Sequence, residues 1–556
     1  MSTSQSVGFD AREATIDTVQ HAIFSGLASV HDVVSAFIAR IEKFDSKINA
    51  VISLNPNALS DAAEQDRMLA AGNATGPLFG VPICLKDNYD TASIPTTGGN
   101  LALKNSQPTE DAPAVAVLRK AGAIILGKCN LHELALEGIS VSSVGGQTIN
   151  PYDSTRTPGG SSGGTGAGVA ASFFVFGTGT DTVNSLRSPP ASNSLFSIRP
   201  TRGLISRQGI IPISTTQDVI GPIARTIKDV AVALTVMSSI GYDPQDNDTA
   251  RVPQGNRNID YAAAMDTAPP LKGLRLGLIE GFFNRTASTE TTPVNEAFDK
   301  MVSRLTAAGA TVVSIKESIY NSTAIQAFDT QRFEYRENMN KYLQRPSLKG
   351  THPSTLDELY ETSSNGTGGK FLVIPSQYEY VTTSLKSSTS NATYDNIQRG
   401  ISNLTIALQS TFAANNLDAL IYPEQQHLVV KLGSPSQSGR NGILAALTGA
   451  PVVVVPAGFS PPTETAPIGV PIGMEILGPK WDEAKILGIA WQVEKLTKVR
   501  KSPVWAREVV EVSGRTANST LVAKITPNTK NIPPEYPVGS LGGAIVNAEG
   551  VSFLKK

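Results

Sequence analysis

Apolar residues recur with the period of an α-helix in the first part of the chain. Ser29 stands three residues before Asp32, a spacing typical of a capped helix N-terminus. The apolar residues that follow fall on one helical face: Val33, Val34, Phe37, Ile38 and Ile41. The pattern predicts an amphipathic helix over 29–44, and a second helix is predicted over 57–71.

A helix, a glycine and an apolar strand then follow one another repeatedly. Asp111 is placed to cap a helix that Gly122 ends, and the apolar run AIILGK follows at once. The same order returns at 294–315 and at 441–458. Such alternation predicts an α/β fold with a largely parallel sheet.

The chain, residues 1–556, shows no internal repeat and no clean linker, so we expect a single domain. Residues 318–400 are rich in Ser, Thr and Asn and carry several aromatic residues. We interpret them as a variable, mostly helical insertion that covers one edge of the sheet. Residues 511–556 include NIPPEYPVGSLGG, which predicts a loop-rich tail on the surface.

The composition excludes several classes of protein. The net charge is −1 without a basic stripe, so no nucleic-acid partner is indicated, and no apolar run is long enough to span a membrane. The N-terminus lacks the pattern of a signal peptide, which leaves a cytoplasmic protein as the chain stands. A secreted glycoprotein stays open because glycosylation sequons recur at Asn73, Asn247, Asn284, Asn321, Asn365, Asn391, Asn403 and Asn518.

The two cysteines, Cys84 and Cys129, lie outside any CxxC or Cys/His cluster. A structural zinc site is therefore not expected, and two free thiols are favoured over a disulfide.

Residues 158–168, PGGSSGGTGAG, are the most unusual segment. A phosphate-binding loop would need a Lys that is absent here. A nucleophile elbow would place Ser161 directly after a buried strand, whereas NPYDSTRTP precedes this segment. On these residues alone a flexible Gly/Ser loop is the favoured interpretation.

Two further segments contain candidate catalytic residues. Residues 78–85 predict a buried strand, and Lys86 follows it directly. A Lys there usually extends to solvent, but if it is buried, desolvation favours the neutral amine, which is a base. The third segment is GTDTVNSLRSPP, in which Ser185 follows an apolar run and a polar turn.

Together these segments resemble the amidase signature family. GGSSGG, GTDT followed by SLR, and GVPICLKD match the motifs of that family. RPTRGLISRQGIIP, TGAPVVVVPAGF and GVPIGMEILGPKW resemble its continuation, so the resemblance covers roughly residues 20–500.

The resemblance implies an α/β fold with a mixed, mostly parallel central sheet between helical layers. It also implies a hydrolase that cleaves a carboxamide through an acyl-enzyme, with no metal and no organic cofactor. Ser185 would be the nucleophile, Ser161 a bridging serine after a cis peptide bond, and Lys86 the base. The backbone N–H groups of Thr182, Val183 and Asn184 would form the oxyanion hole. We expect Asp181, Arg187 and Ser162 to hold this arrangement by hydrogen bonds. No histidine is required, and His21, His31, His132, His352 and His427 are interpreted as structural or surface residues.

Several alternatives stay open. Carbamates (urethanes) and esters pass through the same tetrahedral intermediate, an amidotransferase subunit belongs to the same family, and a non-catalytic scaffold would keep the fold. We expect a small-molecule amide or carbamate as the partner, and a monomer or a homodimer. Irregular segments usually carry specificity, so Phe328, Tyr335, Gln425 and Gln426 are predicted to shape the pocket.

One departure from the family pattern concerns the turn before Ser185. The family usually has Gly-Gly there, whereas this chain has Val183 and Asn184. A β-branched residue adopts a positive φ poorly, so the turn must use a negative φ or the hole is reshaped. We expect the pair to favour slender acyl groups.

Overall fold

An eleven-stranded sheet forms the centre of the molecule. The computed structural model describes residues 9–360, 371–372, 375–511, 532–533, 535–539, 545–547 and 552–553. The strands are β1 (Val51–Leu54), β2 (Pro82–Lys86), β3 (Ile124–Cys129), β4 (Phe176–Asp181), β5 (Phe196–Arg199), β6 (Val219–Ala224), β7 (Arg275–Ile279), β8 (Thr311–Ile315), β9 (Ala419–Pro423), β10 (Val452–Phe459) and β11 (Pro471–Leu477).

The order across the sheet is β1-β3-β2-β4-β6-β5-β10-β11-β9-β7-β8. Strands β3, β2 and β4 pair in parallel, and so do β9, β7 and β8. The remaining pairs are antiparallel: one adds β1 at the edge beside β3, and the others join the two parallel groups. The predicted α/β class, with a large mixed sheet among helices, is confirmed.

Helices cover both faces of the sheet. They are α1 (Ile16–Phe24), α2 (Val30–Ile48), α3 (Ala58–Ala70), α4 (Pro113–Lys120), α5 (Gly163–Ala170), α6 (Ser188–Ser192), α7 (Ile227–Ser238), α8 (Tyr261–Asp266), α9 (Thr292–Ala307), α10 (Ser322–Ile325), α11 (Gln331–Leu343), α12 (Leu356–Tyr360), α13 (Pro375–Lys386), α14 (Ala392–Asn415), α15 (Ile443–Thr448) and α16 (Glu483–Thr497). None of these described helices is long and apolar enough to cross a membrane.

Successive residues of the strands face different cores, as the period of a strand requires. Ile421 and Val453 belong to the main core together with residues of α9 and α16. Their neighbours Leu420 and Val452 belong to a second core with residues of α14 and α15. Cys84 and Cys129 are free, buried thiols within the main core.

The helix predicted over 29–44 is confirmed as α2, whose capping box joins Ser29 and Asp32. The helix predicted over 57–71 is confirmed as α3. The predicted cap at Asp111 is wrong, because α4 starts after Ala112 and has Pro113 in its first turn. The Asp111 carboxylate instead accepts a hydrogen bond from Ala92 N and pairs with Arg119.

Residues 318–400 are mostly helical where they are described, with two short strands, Leu348–Lys349 and Phe371–Leu372. Tyr320 and Ile325 pack with Ile315 of the edge strand β8, but α11 lies elsewhere. The buried side chains of α11 pack with Leu103, Leu134, Ile211 and Ile213, which lie in loops rather than on a sheet edge. Helix α11 therefore covers the loops beside the carboxyl ends of the parallel strands.

Short strands lie outside the central sheet. Gln107–Pro108 pairs with Leu348–Lys349, and Val141–Ser142 pairs with Gly146–Gln147. Phe371–Leu372, Pro537–Gly539, Ile545–Asn547 and Ser552–Phe553 form a four-stranded sheet. Most of the predicted tail at 511–556 lies outside the described residues, but Tyr536 is buried beside Ile139 and Val141.

Four fully buried charged groups join three strands at the end of β4. The Asp181 carboxylate is 2.9 Å from Arg187 Nε and 2.6 Å from the Arg199 guanidinium. Arg187 also forms an ion pair with Glu475 on β11, at 3.0 Å. Burial alone would raise the pKa of Asp181, but the two guanidinium groups hold it below its usual value. The cluster therefore fixes the point where the chain leaves β4.

Removing the Asp181 charge should destabilise the protein strongly. Asp181→Asn leaves Arg199 as a buried cation without its partner, a change that costs about 3–5 kcal/mol in comparable cases. We expect a loss of that size in the free energy of unfolding measured with urea. Asp10→Asn is the matched control, because the half-exposed Asp10 pairs with Arg12 at the surface, where such pairs contribute about 1 kcal/mol or less. Equal effects of the two substitutions would contradict this account.

Candidate active site

Lys86 is the last residue of β2, and its side chain is completely buried. Its Nζ lies 2.7 Å from Ser161 Oγ and 2.7 Å from Thr180 Oγ1. Thr180 lies in β4, the neighbour of β2, so the sheet itself presents this hydroxyl to the amine. Burial lowers the pKa of Lys86 to about 7, against the opposing charges of Asp181 and Asp218. A substantial fraction of the amine is therefore neutral near pH 7.

The glycine-rich segment holds Ser161 beside this amine. The peptide bond between Gly160 and Ser161 is cis, and the Ser161 carbonyl accepts a hydrogen bond from His132 N at 3.0 Å. Gly163 has no room for a side chain, since a Cβ there would lie 2.0 Å from Ser140 Oγ. The segment is buried throughout, so it is a packed part of the core and not a flexible loop.

Ser185 lies in the turn between β4 and α6. Its side chain is 7 % exposed and lines a cavity, and among the described residues its hydroxyl has no hydrogen-bond partner. The backbone N–H groups of Thr182, Val183 and Asn184 also donate to none of the described residues. Val183 does not have a positive φ. The turn thus accepts a β-branched residue without strain and leaves donors free beside the Ser185 hydroxyl.

Asp181, Arg187 and Ser162, which are expected to support the turn, form hydrogen bonds with backbone atoms in and around it. Arg187 donates to Val183 O and, at 3.0 Å, to Gly442 O, and the Asp181 carboxylate accepts from Leu186 N at 3.0 Å. Ser162 Oγ donates to Thr180 O at 3.4 Å. These contacts fix the ends of the turn and leave its middle facing the cavity.

Side chains of the turn are held by neighbouring loops. Asn184 Nδ2 donates to Glu424 Oε1 at 2.7 Å, and Asn184 Oδ1 accepts from Arg440 at 3.4 Å. Thr182 Oγ1 donates to Asp218 Oδ1 at 2.6 Å. Burial, followed by the charge of Glu475, raises the pKa of Glu424 to about 8. Asn184, which stands where the family usually has glycine, therefore anchors the turn through its side chain.

The cavity beside Ser185 has a volume of about 460 Å³. Its walls come from residues 135–137, the turn 182–185, helices α10, α11 and α13, and residues 436–440. Most of the lining side chains are amides, hydroxyls or charged groups. The insertion segment therefore contributes directly to the wall of the site.

Only one of the four predicted pocket residues, Gln426, lines this cavity. Gln425 donates instead to Ser438 O at 3.3 Å, and Phe328 packs against the second core. Tyr335 is completely buried in the core beneath α11, where its ring lies 5.9 Å from that of Tyr380. Tyr380 is the aromatic residue of this segment that reaches the cavity.

His132 is close to the site, although no pattern in the sequence singles it out. It is completely buried, and its Nε2 lies 3.1 Å from Gln377 Oε1 in α13. Burial lowers its pKa to about 4, so the ring is neutral at pH 7. Through its backbone and its ring, His132 connects Ser161 to the helical wall of the cavity.

Comparisons with known proteins agree with this arrangement. The family model described as Amidase matches residues 32–487. A glutamyl-tRNA(Gln) amidotransferase subunit from Alkaliphilus metalliredigens is 30 % identical over 512 residues, which cover 89 % of this chain and 99 % of that protein. The corresponding subunit from Geobacillus thermodenitrificans is 32 % identical over 85 % of this chain and 95 % of its own length.

Among solved structures, the peptide amidase from Stenotrophomonas maltophilia superimposes with a TM-score of 0.75 and 31 % sequence identity. The match covers 88 % of this chain and 98 % of the peptide amidase. A non-catalytic scaffold is therefore set aside: the chain belongs to the amidase family and is an amide-hydrolysing enzyme.

Proposed function

We propose that this enzyme cleaves a carboxamide through an acyl-enzyme on Ser185, with Lys86 and Ser161 as a proton relay. The observation that carries the proposal is the 2.7 Å contact between Lys86 Nζ and Ser161 Oγ in a fully buried site. A serine hydroxyl is a weak nucleophile until a base removes its proton. A buried, neutral amine is such a base, and no histidine is needed.

In the acylation step, Lys86 takes the proton of Ser161, and Ser161 takes the proton of Ser185. Ser185 Oγ then bonds to the amide carbon, and the carbonyl oxygen becomes an oxyanion. When this tetrahedral intermediate collapses, the C–N bond breaks and the relay returns a proton to the leaving nitrogen. Ammonia or an amine leaves, and Ser185 carries the acyl group as an ester.

In the second half of the cycle, water replaces the amine. The relay takes a proton from water, and the water oxygen attacks the ester carbon. The C–O bond to Ser185 then breaks, Ser185 recovers its proton, and a carboxylic acid is released. The relay ends in its starting protonation state.

The oxyanion in both steps needs fixed donors. The free backbone N–H groups of Thr182, Val183 and Asn184 lie in the same turn as Ser185, and donors that are oriented in advance stabilise developing charge strongly. A hydrogen bond between Ser161 and Ser185 is absent among the described residues. Such catalytic contacts often form only when substrate is bound.

Carbamates and esters would pass through the same intermediate, so a urethane-cleaving activity is a variant of this proposal. A hydrolysis screen of aliphatic amides, aryl amides and carbamates, with wild type beside Ser185→Ala, would rank the three classes. Hydrolysis that persists in Ser185→Ala would contradict the proposed nucleophile.

A second candidate function is that of an amidotransferase component, because the curated relatives carry that name. That function requires partner chains and an RNA surface, and a net charge of −1 does not favour the latter. Assay of the purified chain alone separates the two. Turnover of a simple amide without a partner supports the independent hydrolase, whereas turnover only with partner subunits supports the amidotransferase.

Ser185→Ala should abolish turnover and leave the fold intact, because it removes one hydroxyl at the cavity and no described hydrogen bond. We expect an unchanged melting temperature. A fluorophosphonate, which phosphonylates activated serines, should label Ser185 in the wild-type protein, as peptide mass spectrometry would detect. Label on Ser161 with Ser185 unmodified would assign the nucleophile to the glycine-rich segment instead.

The dependence of kcat/KM on pH should reflect the protonation of the Lys86 amine. Its lowered pKa of about 7 means that the base is neutral above this pH and protonated below it. We therefore expect kcat/KM to fall about tenfold per pH unit well below pH 7. Lys86→Ala should lower kcat by about 10²–10⁴, while Lys104→Ala, at an exposed lysine, should keep both rate and profile. A Lys86→Ala enzyme with near-normal kcat would exclude the relay.

Val183 and Asn184 should have separable roles. The half-buried Val183 side chain lines the cavity, so Val183→Gly should raise kcat/KM for bulky acyl groups relative to small ones. Asn184→Gly removes the contacts to Glu424 and Arg440 and should lower kcat on all amides by about tenfold, with little change in KM. Steady-state kinetics on amides of increasing acyl size would test both. If the effect of Asn184→Gly depended on the size of the acyl group, Asn184 would contact the substrate.

A further inference from the structure

Three side chains of the cavity wall have buried polar atoms that find no hydrogen-bond partner among the described residues. They are Nε2 of Gln377, both carboxamide atoms of Gln437 and the hydroxyl of Tyr380. The first two residues are each 2 % exposed and Tyr380 is 9 % exposed, and all three line the cavity beside Ser185. Buried polar groups in proteins are almost always hydrogen-bonded, so this concentration at one site needs a cause.

Contacts with neighbouring residues limit the movement of these groups. Gln377 Oε1 is engaged by the His132 ring, which leaves the NH₂ group as the free part of that amide. The backbone N–H of Gln437 donates to Glu137 Oε1 at 3.2 Å. The ring of Tyr380 packs against that of Tyr335. The side chains of Gln377 and Tyr380 and the backbone of Gln437 are therefore held in place before a substrate arrives.

Four charged residues line the cavity, two of each sign. Glu137 and Arg440 form an ion pair at 3.3 Å, and the other two are Asp329 and Arg332, whose guanidinium lies 5.9 Å from the Tyr380 ring. Gln437 supplies both a donor and an acceptor, Gln377 a donor, and Tyr380 a group that can be either. This set suits an uncharged group with hydrogen-bonding capacity of its own. An alkyl or aryl group placed there would leave these polar atoms unpaired, which weakens binding.

We propose that Gln377, Tyr380 and Gln437 form a subsite for an uncharged polar group of the substrate, an amide or a hydroxyl, beside the bond that is cleaved. The inference rests on the proposed function, since it assumes that the cavity beside Ser185 receives the substrate. It restricts the substrate class to amides with a polar neighbouring group, as opposed to purely aliphatic or aromatic amides.

Binding to the Ser185→Ala protein tests the subsite without the chemistry. N-acetylalaninamide and 2,4-dimethylpentanamide have nearly the same shape, and only the former carries a second amide. We expect isothermal titration calorimetry to give N-acetylalaninamide at least about tenfold higher affinity. Equal affinities, or no binding of either compound, would overturn the proposal.

Variants at two of the three residues test whether they cause the preference. In the Ser185→Ala background, Gln437→Met and Tyr380→Phe should each reduce the preference for N-acetylalaninamide by about tenfold, mainly by weakening its binding. Gln344→Met, the same substitution at an exposed glutamine, should leave the preference unchanged. A preference that survives both Gln437→Met and Tyr380→Phe would also overturn the subsite. Because affinity is measured without turnover, failure of the subsite is distinct from failure of Ser185 as nucleophile.

Discussion

The Asp181 carboxylate is the constraint on which the rest of the site depends. It lies at the end of β4, where the chain must leave the sheet and place the Ser185 hydroxyl at a cavity. A buried carboxylate is costly unless cations and N–H groups surround it, and here Arg187, Arg199 and the Leu186 N–H do so. The direction of the turn is therefore set by charge pairing. The same negative charge raises the pKa of Lys86 against the effect of burial, so the geometry of the turn and the basicity of the amine are linked.

Lys86 and Ser161 lie in a different environment from Ser185, and the proposed mechanism uses that difference. Lys86 and Ser161 are completely enclosed, which keeps the amine partly neutral near pH 7. Ser185 and the free N–H groups face a cavity whose wall is mostly polar. In such an arrangement the base is protected from water, while the nucleophile is open to a substrate.

Features that depend on neighbouring residues in the chain could be predicted from the sequence, whereas features that the fold assembles could not. The capped helix at Ser29 and the buried strand before Lys86 have local patterns, and the family resemblance singles out Ser161 and Ser185 as candidate catalytic residues. Asp111 is not the helix cap, because a competing partner on α4 and a proline in its first turn displace the helix start. The cavity wall comes from separate segments, and Gln377 and Gln437 lie among other polar residues with no pattern that distinguishes them. Only the fold brings these two together, so no local pattern could have identified them.

Asn184 holds the turn before Ser185 through its side chain, which a glycine at this position could not do. Two glycines let a turn adopt its shape freely but leave it loose. Here the Asn184 amide binds Glu424, and a proton on Glu424 avoids a second negative charge beside Glu475. Glu475 can then remain charged and pair with Arg187, which in turn holds Asp181 and the Val183 carbonyl. The side-chain anchor of the turn and the ion cluster beneath it are therefore parts of one electrostatic arrangement, and the protonation of Glu424 makes the two compatible.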